Sequence, residues 1–159
     1  MRLISMISFI LLVTWLSTAL AAAPKCVSVP FTVDGKNIIL PGTPDSKKPV
    51  IYFFQNKSMQ SLWLDHTDPK RRGTSAGWAS YLRPDNWSAI VLNKKSFSIS
   101  CSSIQPGKVE TLECSTSLSI CAPQNMTTAK PLEGNYWMTE DKKWDSFVRA
   151  LEKRGATFN

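Results

Sequence analysis

Val50-Ile51-Tyr52-Phe53-Phe54 is an unbroken run of five apolar, β-prone residues, closed by the polar stretch Gln55-Asn56-Lys57-Ser58. A strand with one face in water alternates apolar with polar side chains, whereas an uninterrupted run of this length is the pattern of a strand covered on both faces. The run is too short for a helix core and is bounded by turn chemistry, which favours a strand. On its amino-terminal side lies Pro41-Gly42-Thr43-Pro44-Asp45-Ser46-Lys47-Lys48-Pro49, whose three prolines lack a backbone donor and predict a loop. Before it, Val27, Val29, Phe31 and Val33 alternate with smaller or polar residues. Asp34-Gly35 then supplies a tight-turn signal and Asn37-Ile38-Ile39-Leu40 completes a first hairpin.

On the carboxy-terminal side Leu62-Trp63-Leu64 predicts the next short strand. The stretch from His66 to Gly77 is polar and reads as the longest surface loop. Three more strands follow at 78–82, 87–92 and 97–101, separated by Arg83-Pro84-Asp85-Asn86 and Asn93-Lys94-Lys95. The spacing predicts a mostly β fold, a small antiparallel β-sandwich. The period then changes. Trp144, Phe147, Val148 and Leu151 recur at i, i+3, i+4 and i+7, which predicts a C-terminal helix over about 140–154 with one apolar face laid on a sheet. Thr139 suits the cap, Glu140 and Asp141 the positive end, Arg149, Lys153 and Arg154 the negative end, and Gly155 the stop.

The chain has 159 residues, 43% hydrophobic and 19% charged, which is the composition of a folded domain rather than a disordered chain. Its amino terminus carries Arg2, a mostly apolar run from Leu3 to Leu20, and then Ala21-Ala22-Ala23. This pattern is that of a secretory signal; Ala19-Leu20-Ala21 provides small-x-small, with cleavage before Ala22. The expected organisation is a signal peptide over 1–21 and one domain over 22–159, with no stable membrane span once the signal is removed. The destination is the periplasm, the outer envelope or the medium. Cys26, Cys101, Cys114 and Cys121 all follow the proposed cut, an even number in an exported chain, and predict two disulfides.

Connectivity depends on the turn Gln105-Pro106-Gly107-Lys108. With Gly107 and Lys108 as loop residues, Cys101 lies opposite Cys114, which favours Cys101–Cys114 and Cys26–Cys121. With Pro106 and Gly107 as loop residues the two are diagonal, and Cys114–Cys121 with Cys26–Cys101 is the alternative.

Net charge is +7, and +6 without Arg2. Lys70-Arg71-Arg72 is the densest basic group, and with His66 it marks the 66–77 loop as the candidate binding segment for a protein or an anionic surface. Nucleic acid is not an expected partner, because the aromatics are not interleaved with the basic residues. His66 is the single histidine, and no Gly-x-Ser-x-Gly, paired-histidine or Cys-x-x-Cys motif is present, so no catalytic residue, metal site or cofactor is expected. Trp63, Trp78, Trp87, Trp137 and Trp144 fall within strand or helix patterns, which favours core packing. Asn56-Lys57-Ser58, Asn86-Trp87-Ser88 and Asn125-Met126-Thr127 fit the glycosylation acceptor pattern.

Four segments together carry a likeness: 51–58, Leu62-Trp63-Leu64-Asp65-His66, Ser75-Ala76-Gly77-Trp78-Ala79-Ser80 and Asn86-Trp87-Ser88-Ala89. Phe97-Ser98-Ile99-Ser100-Cys101, Cys114, Cys121 and Gly134-Asn135-Tyr136-Trp137 extend it. This succession resembles the enhanced-entry EnhB-like proteins of Legionella and related bacteria. The resemblance implies an exported, non-enzymatic interaction protein contributing to bacterial entry into host cells, and it supplies no catalytic residues or cofactor. The alternatives are a periplasmic module binding a glycan or metal through the 66–77 loop, and a hydrolase centred on His66.

Overall fold

The computed structural model describes residues 24–42, 50–67, 79–92, 96–128, 136–138 and 141–158; the proposed signal peptide lies outside them. The fold is mostly β, with two packed antiparallel sheets and a C-terminal helix beside one of them. The strands are β1 (Cys26–Ser28), β2 (Thr32–Asp34), β3 (Asn37–Pro41), β4 (Val50–Asn56), β5 (Leu62–Thr67), β6 (Ala79–Leu82), β7 (Trp87–Leu92), β8 (Ser96–Gln105) and β9 (Lys108–Leu112). A four-residue helix α1 (Cys114–Ser117) leads into β10 (Leu118–Pro123) and β11 (Met126–Thr128). After them come β12 (Tyr136–Met138), α2 (Trp144–Glu152) and β13 (Ala156–Phe158).

One sheet runs β1-β10-β4-β7-β12; the other runs β2-β3-β8-β5-β6, with β9 also on β8; β11 and β13 form a separate ribbon. The chain passes repeatedly between the two large sheets, so their facing sides are knitted by residues distant in sequence. Ile38, Leu40, Phe54, Leu62, Leu64, Leu82, Ile90, Ile99 and Cys101 are fully buried in one inter-sheet cluster. Alternation along each strand sends their neighbours to the opposite face.

The Val50–Phe54 run lies in β4, in the middle of its sheet between β10 and β7. Tyr52 and Phe54 enter the inter-sheet core, while Phe53 points the other way into a second cluster with Ala89, Phe147 and Leu151. Both faces of β4 are therefore covered, as the unbroken run requires. The Tyr52 hydroxyl donates to the Pro41 carbonyl, joining the two sheets. Its burial holds the phenol above the ordinary tyrosine range.

Three local expectations change. The alternating stretch from Val27 to Val33 is two strands in different sheets, because Pro30 cannot donate to a ladder; β1 pairs β10 while β2 pairs β3. The β2–β3 hairpin forms as expected, with Asp34 opposite Asn37 and Gly35 at φ 59°. Helix α2 begins at Trp144 rather than near 140: Lys143 is the N-cap in extended backbone, with no side-chain cap bond. Thr139 and Glu140 lie outside the described residues. Of the expected stripe, Phe147, Val148 and Leu151 are buried and Trp144 is half-buried, and Gly155 at φ 92° turns the chain into β13.

The third change concerns the cysteines. They pair Cys26–Cys121 and Cys101–Cys114, with Cα separations of 5.4 and 5.3 Å, and none is free. The register that favoured this pairing is not the one present. Gln105 lies opposite Lys108, so Pro106 and Gly107 are the loop residues and Cys101 faces Leu112. Cys114 still reaches Cys101 because β9 cannot continue: β3 already occupies that edge of β8, where Ile38 faces Ile99. The chain turns at Glu113 into α1, the Cys114 amide donates to the Lys36 carbonyl at 3.0 Å, and the Cys114 Sγ is directed back over β8, 3.5 Å from the Ile99 carbonyl.

Candidate functional site

Leu62-Trp63-Leu64-Asp65 in β5 alternates in the way a half-covered strand does. Leu62 and Leu64 are fully buried between the sheets, which turns Trp63 and Asp65 to the outer face of the six-stranded sheet, where both are half-buried. On that face Trp63 lies opposite Tyr81 in β6 and opposite Ser102 in β8, and Ser102 lies opposite Thr111 in β9. The Trp63 and Tyr81 rings stand 6.3 Å apart between centroids at 52°, and Tyr81 is 39% exposed.

The next row sets Asp65 opposite Ser100. The Trp63 Nε1–H donates to Asp65 Oδ1 at 2.9 Å, which fixes both the indole and the carboxylate. Ser100 Oγ donates at 3.4 Å to the Asp65 carbonyl. The arrangement joins two aromatic rings, an oriented carboxylate and a row of hydroxyls on rigid, paired strands.

This site departs from the expectation that the tryptophans fill the core. Trp87 and Trp144 do pack under the sheet with Phe53 and Phe147, and Trp137 occupies β12 opposite Ala89, whereas Trp78 lies outside the described residues. Trp63 instead belongs to the outer face. The signal was the i, i+2 pair Trp63 and Asp65 set against Leu62 and Leu64, a period-2 pattern in four residues.

The backbone of His66 is in β5, paired with Ile99, and Thr67 pairs with Ser98. His66 and Thr67 are therefore strand rather than loop, because β8 is ten residues long and keeps β5 paired further than its apolar core suggests; the rest of the expected 66–77 loop lies outside the described residues. Lys70, Arg71 and Arg72 lie outside the described residues. Thr67 and Ala79, the described residues on either side of them, belong to the paired strands β5 and β6 that carry Trp63 and Tyr81.

A concavity of about 330 Å³, almost wholly apolar, lies where β2, β3 and β8 meet and is lined by Pro30, Phe31, Thr32, Ile39, Leu40, Pro41 and Ser96. Ser96 is six residues along β8 from Ser102, or about 20 Å by strand rise, so the two features are separate. No group of three or more His, Cys, Asp or Glu residues placed to hold a metal occurs among the described residues. Among those residues no helix is long and apolar enough to cross a membrane.

The three acceptor-pattern asparagines differ in environment. Asn56 is fully buried; its Nδ2 donates to the carbonyls of Gln60 and Leu82 at 2.7 and 2.8 Å, and its Oδ1 accepts from the Ser58 amide and hydroxyl. That side chain braces the turn after β4. Asn86 is also buried, while Asn125 is exposed at the turn between β10 and β11, at φ 57°.

Compared with protein-family models, with curated proteins and with solved structures, the chain finds no match in any of the three.

Proposed function

We propose that the protein is an exported, non-enzymatic interaction protein that contributes to bacterial entry into host cells. The observation that carries the interaction part is the outer face of β6, β5 and β8, where Trp63 and Tyr81 stand beside an oriented carboxylate. Aromatic anchors of this kind dominate binding energy where they become covered. Export is supported by the apolar amino-terminal run and by two disulfides, which persist outside a reducing cytoplasm. The host-cell part rests on the motif likeness alone.

The basic segment Lys70-Arg71-Arg72 supplies three charges adjacent in sequence, which attract an anionic partner. The test is to fractionate cells into periplasm, outer membrane and medium, recover what co-purifies with the chain, and repeat with Lys70, Arg71 and Arg72 all changed to Gln. Folding is expected to be unaffected, which an unfolding midpoint measured on the triple variant checks. Partner recovery and host-cell invasion are expected to fall, and the residual binding to lose much of its salt dependence. Recovery and invasion that survive intact in folded, exported triple variant would overturn the role of this segment. A chain found only in the cytoplasm would overturn the reading as a whole.

A further inference from the structure

We infer that the outer face of β6, β5 and β8 is a carbohydrate-binding surface, with Trp63 and Tyr81 as the stacking platform for pyranose rings and Asp65 as the acceptor for their hydroxyls. The inference rests on the interaction reading above and names its ligand. The chemistry of a pyranose matches this face in three respects.

One flat side of the ring is a patch of C–H groups, apolar and weakly positive, which complements the negative face of an indole or phenol. Its rim carries hydroxyl donors. Asp65 spends Oδ1 on the Trp63 indole, and Oδ2 takes no partner among the described residues, so a fixed acceptor stands beside the platform. Ser100, Ser102 and Thr111, in register on β8 and β9, provide hydroxyls that both donate and accept, as a sugar rim requires.

Geometry separates this ligand from the alternatives. An apolar peptide or lipid chain has no use for a carboxylate held in the middle of the contact, and burying Asp65 against it would strand a charge. The apolar concavity between β2, β3 and β8 suits such a chain better, and it lies at the other end of β8. An acidic sugar would set like charges together at Asp65, so the preferred rings are neutral or amino sugars. The rings are also pre-positioned: Trp63 is held by its bond to Asp65 and by paired strands on both sides, so little side-chain freedom is lost on stacking.

The test uses the disulfide-intact protein recovered from the periplasm of the expressing cells. Cellohexaose, chitohexaose and an acidic control, hexagalacturonic acid, are titrated by calorimetry. The Trp63 indole N–H is followed in parallel by NMR. A neutral or amino-sugar hexasaccharide is expected to saturate the protein and shift that signal. Trp63→Ala and Tyr81→Ala are each expected to weaken binding by about tenfold or more, as loss of an aromatic anchor does. Asp65→Asn, which keeps the shape and removes the charge, is expected to weaken it less and to relax the bias against the acidic control.

Tyr81 is exposed enough that its truncation leaves the fold intact, and Trp63→Phe retains a ring; these two variants decide the matter should Trp63→Ala fail to fold. Absence of binding to either neutral hexasaccharide overturns the inference, as does binding that all these variants leave unchanged. If the sugars fail while the co-purifying partner is still retained and is lost in Tyr81→Ala, the face binds protein: the carbohydrate assignment falls and the interaction reading stands.

Discussion

Replacing Phe147 with Ala tests whether α2 is a structural cover or an appendage. Phe147 is fully buried and meets three other rings: Phe53 edge-on at 5.0 Å, Trp87 nearly parallel at 5.7 Å and Trp144 at 5.9 Å. Truncating a buried Phe costs about 3–5 kcal/mol through lost transfer energy and the cavity left behind. Here the ring contacts tie the helix to Phe53 on the central strand β4, and aromatic pairs add about 0.5–1.5 kcal/mol each beyond area.

The cavity is walled by rigid rings on a sheet and collapses poorly, so the expected loss is about 4 kcal/mol. That is a large part of the roughly 5–15 kcal/mol that holds a domain of this size. With a urea slope of about 2 kcal/mol/M the unfolding midpoint falls by about 2 M. Lys153→Ala, at an exposed position after the helix, is the control and should stay within about 0.5 kcal/mol. A Phe147→Ala midpoint within about 0.5 M of wild type at unchanged slope would refute the reasoning: the five-stranded sheet would then hold without its helical cover.

Two further outcomes are expected. Native protein should show no free thiol. Because Cys26–Cys121 spans 95 residues and Cys101–Cys114 only 13, loop-closure entropy assigns about 4–5 kcal/mol to the first and about 3 kcal/mol to the second. Paired Cys→Ala variants compared by urea unfolding check the order, and labelling of two or more native cysteines would sink the assignment. The buried Tyr52 phenol ionises above its unfolded value of about 10, so the folded state binds that proton more tightly. Its contribution is complete below about pH 10 and lost as pH rises through the folded value. Unfolding midpoints measured between pH 8 and 11 should fall at the alkaline end, with a shallower fall in Tyr52→Phe; identical slopes in the two proteins would remove Tyr52 as the cause.

The face that carries the proposed ligand was legible only in part. Trp63 and Asp65 are visible in sequence as a period-2 pair, but the same four residues do not reveal Tyr81 beside the indole or Ser102 beyond it. Those neighbours come from pairing β5 with β6 and β8, across separations of 18 and 39 residues in the Trp63 rows. His66 shows the converse: its polar surroundings read as loop, and only the length of β8 reveals that its backbone continues the ladder.

Local patterns by themselves determined the two-sided burial of β4, the Asp34-Gly35 hairpin and the apolar stripe of α2. Each is a matter of side-chain period and turn chemistry within a few residues, and those survive in any tertiary context. The even set of four cysteines likewise required only an oxidising compartment to imply two bridges. What the tertiary structure alone decided is who competes for each strand edge. Because β3 already pairs β8 at Ile99, β9 has to stop at Leu112, and the chain folds into α1 and returns Cys114 to Cys101. The same long-range pairing splits β1 from β2 and sets Trp63, half-buried, on the outer face rather than in the core. A strand edge accepts one partner, and which segment reaches it is settled by the whole chain, not by the residues along it.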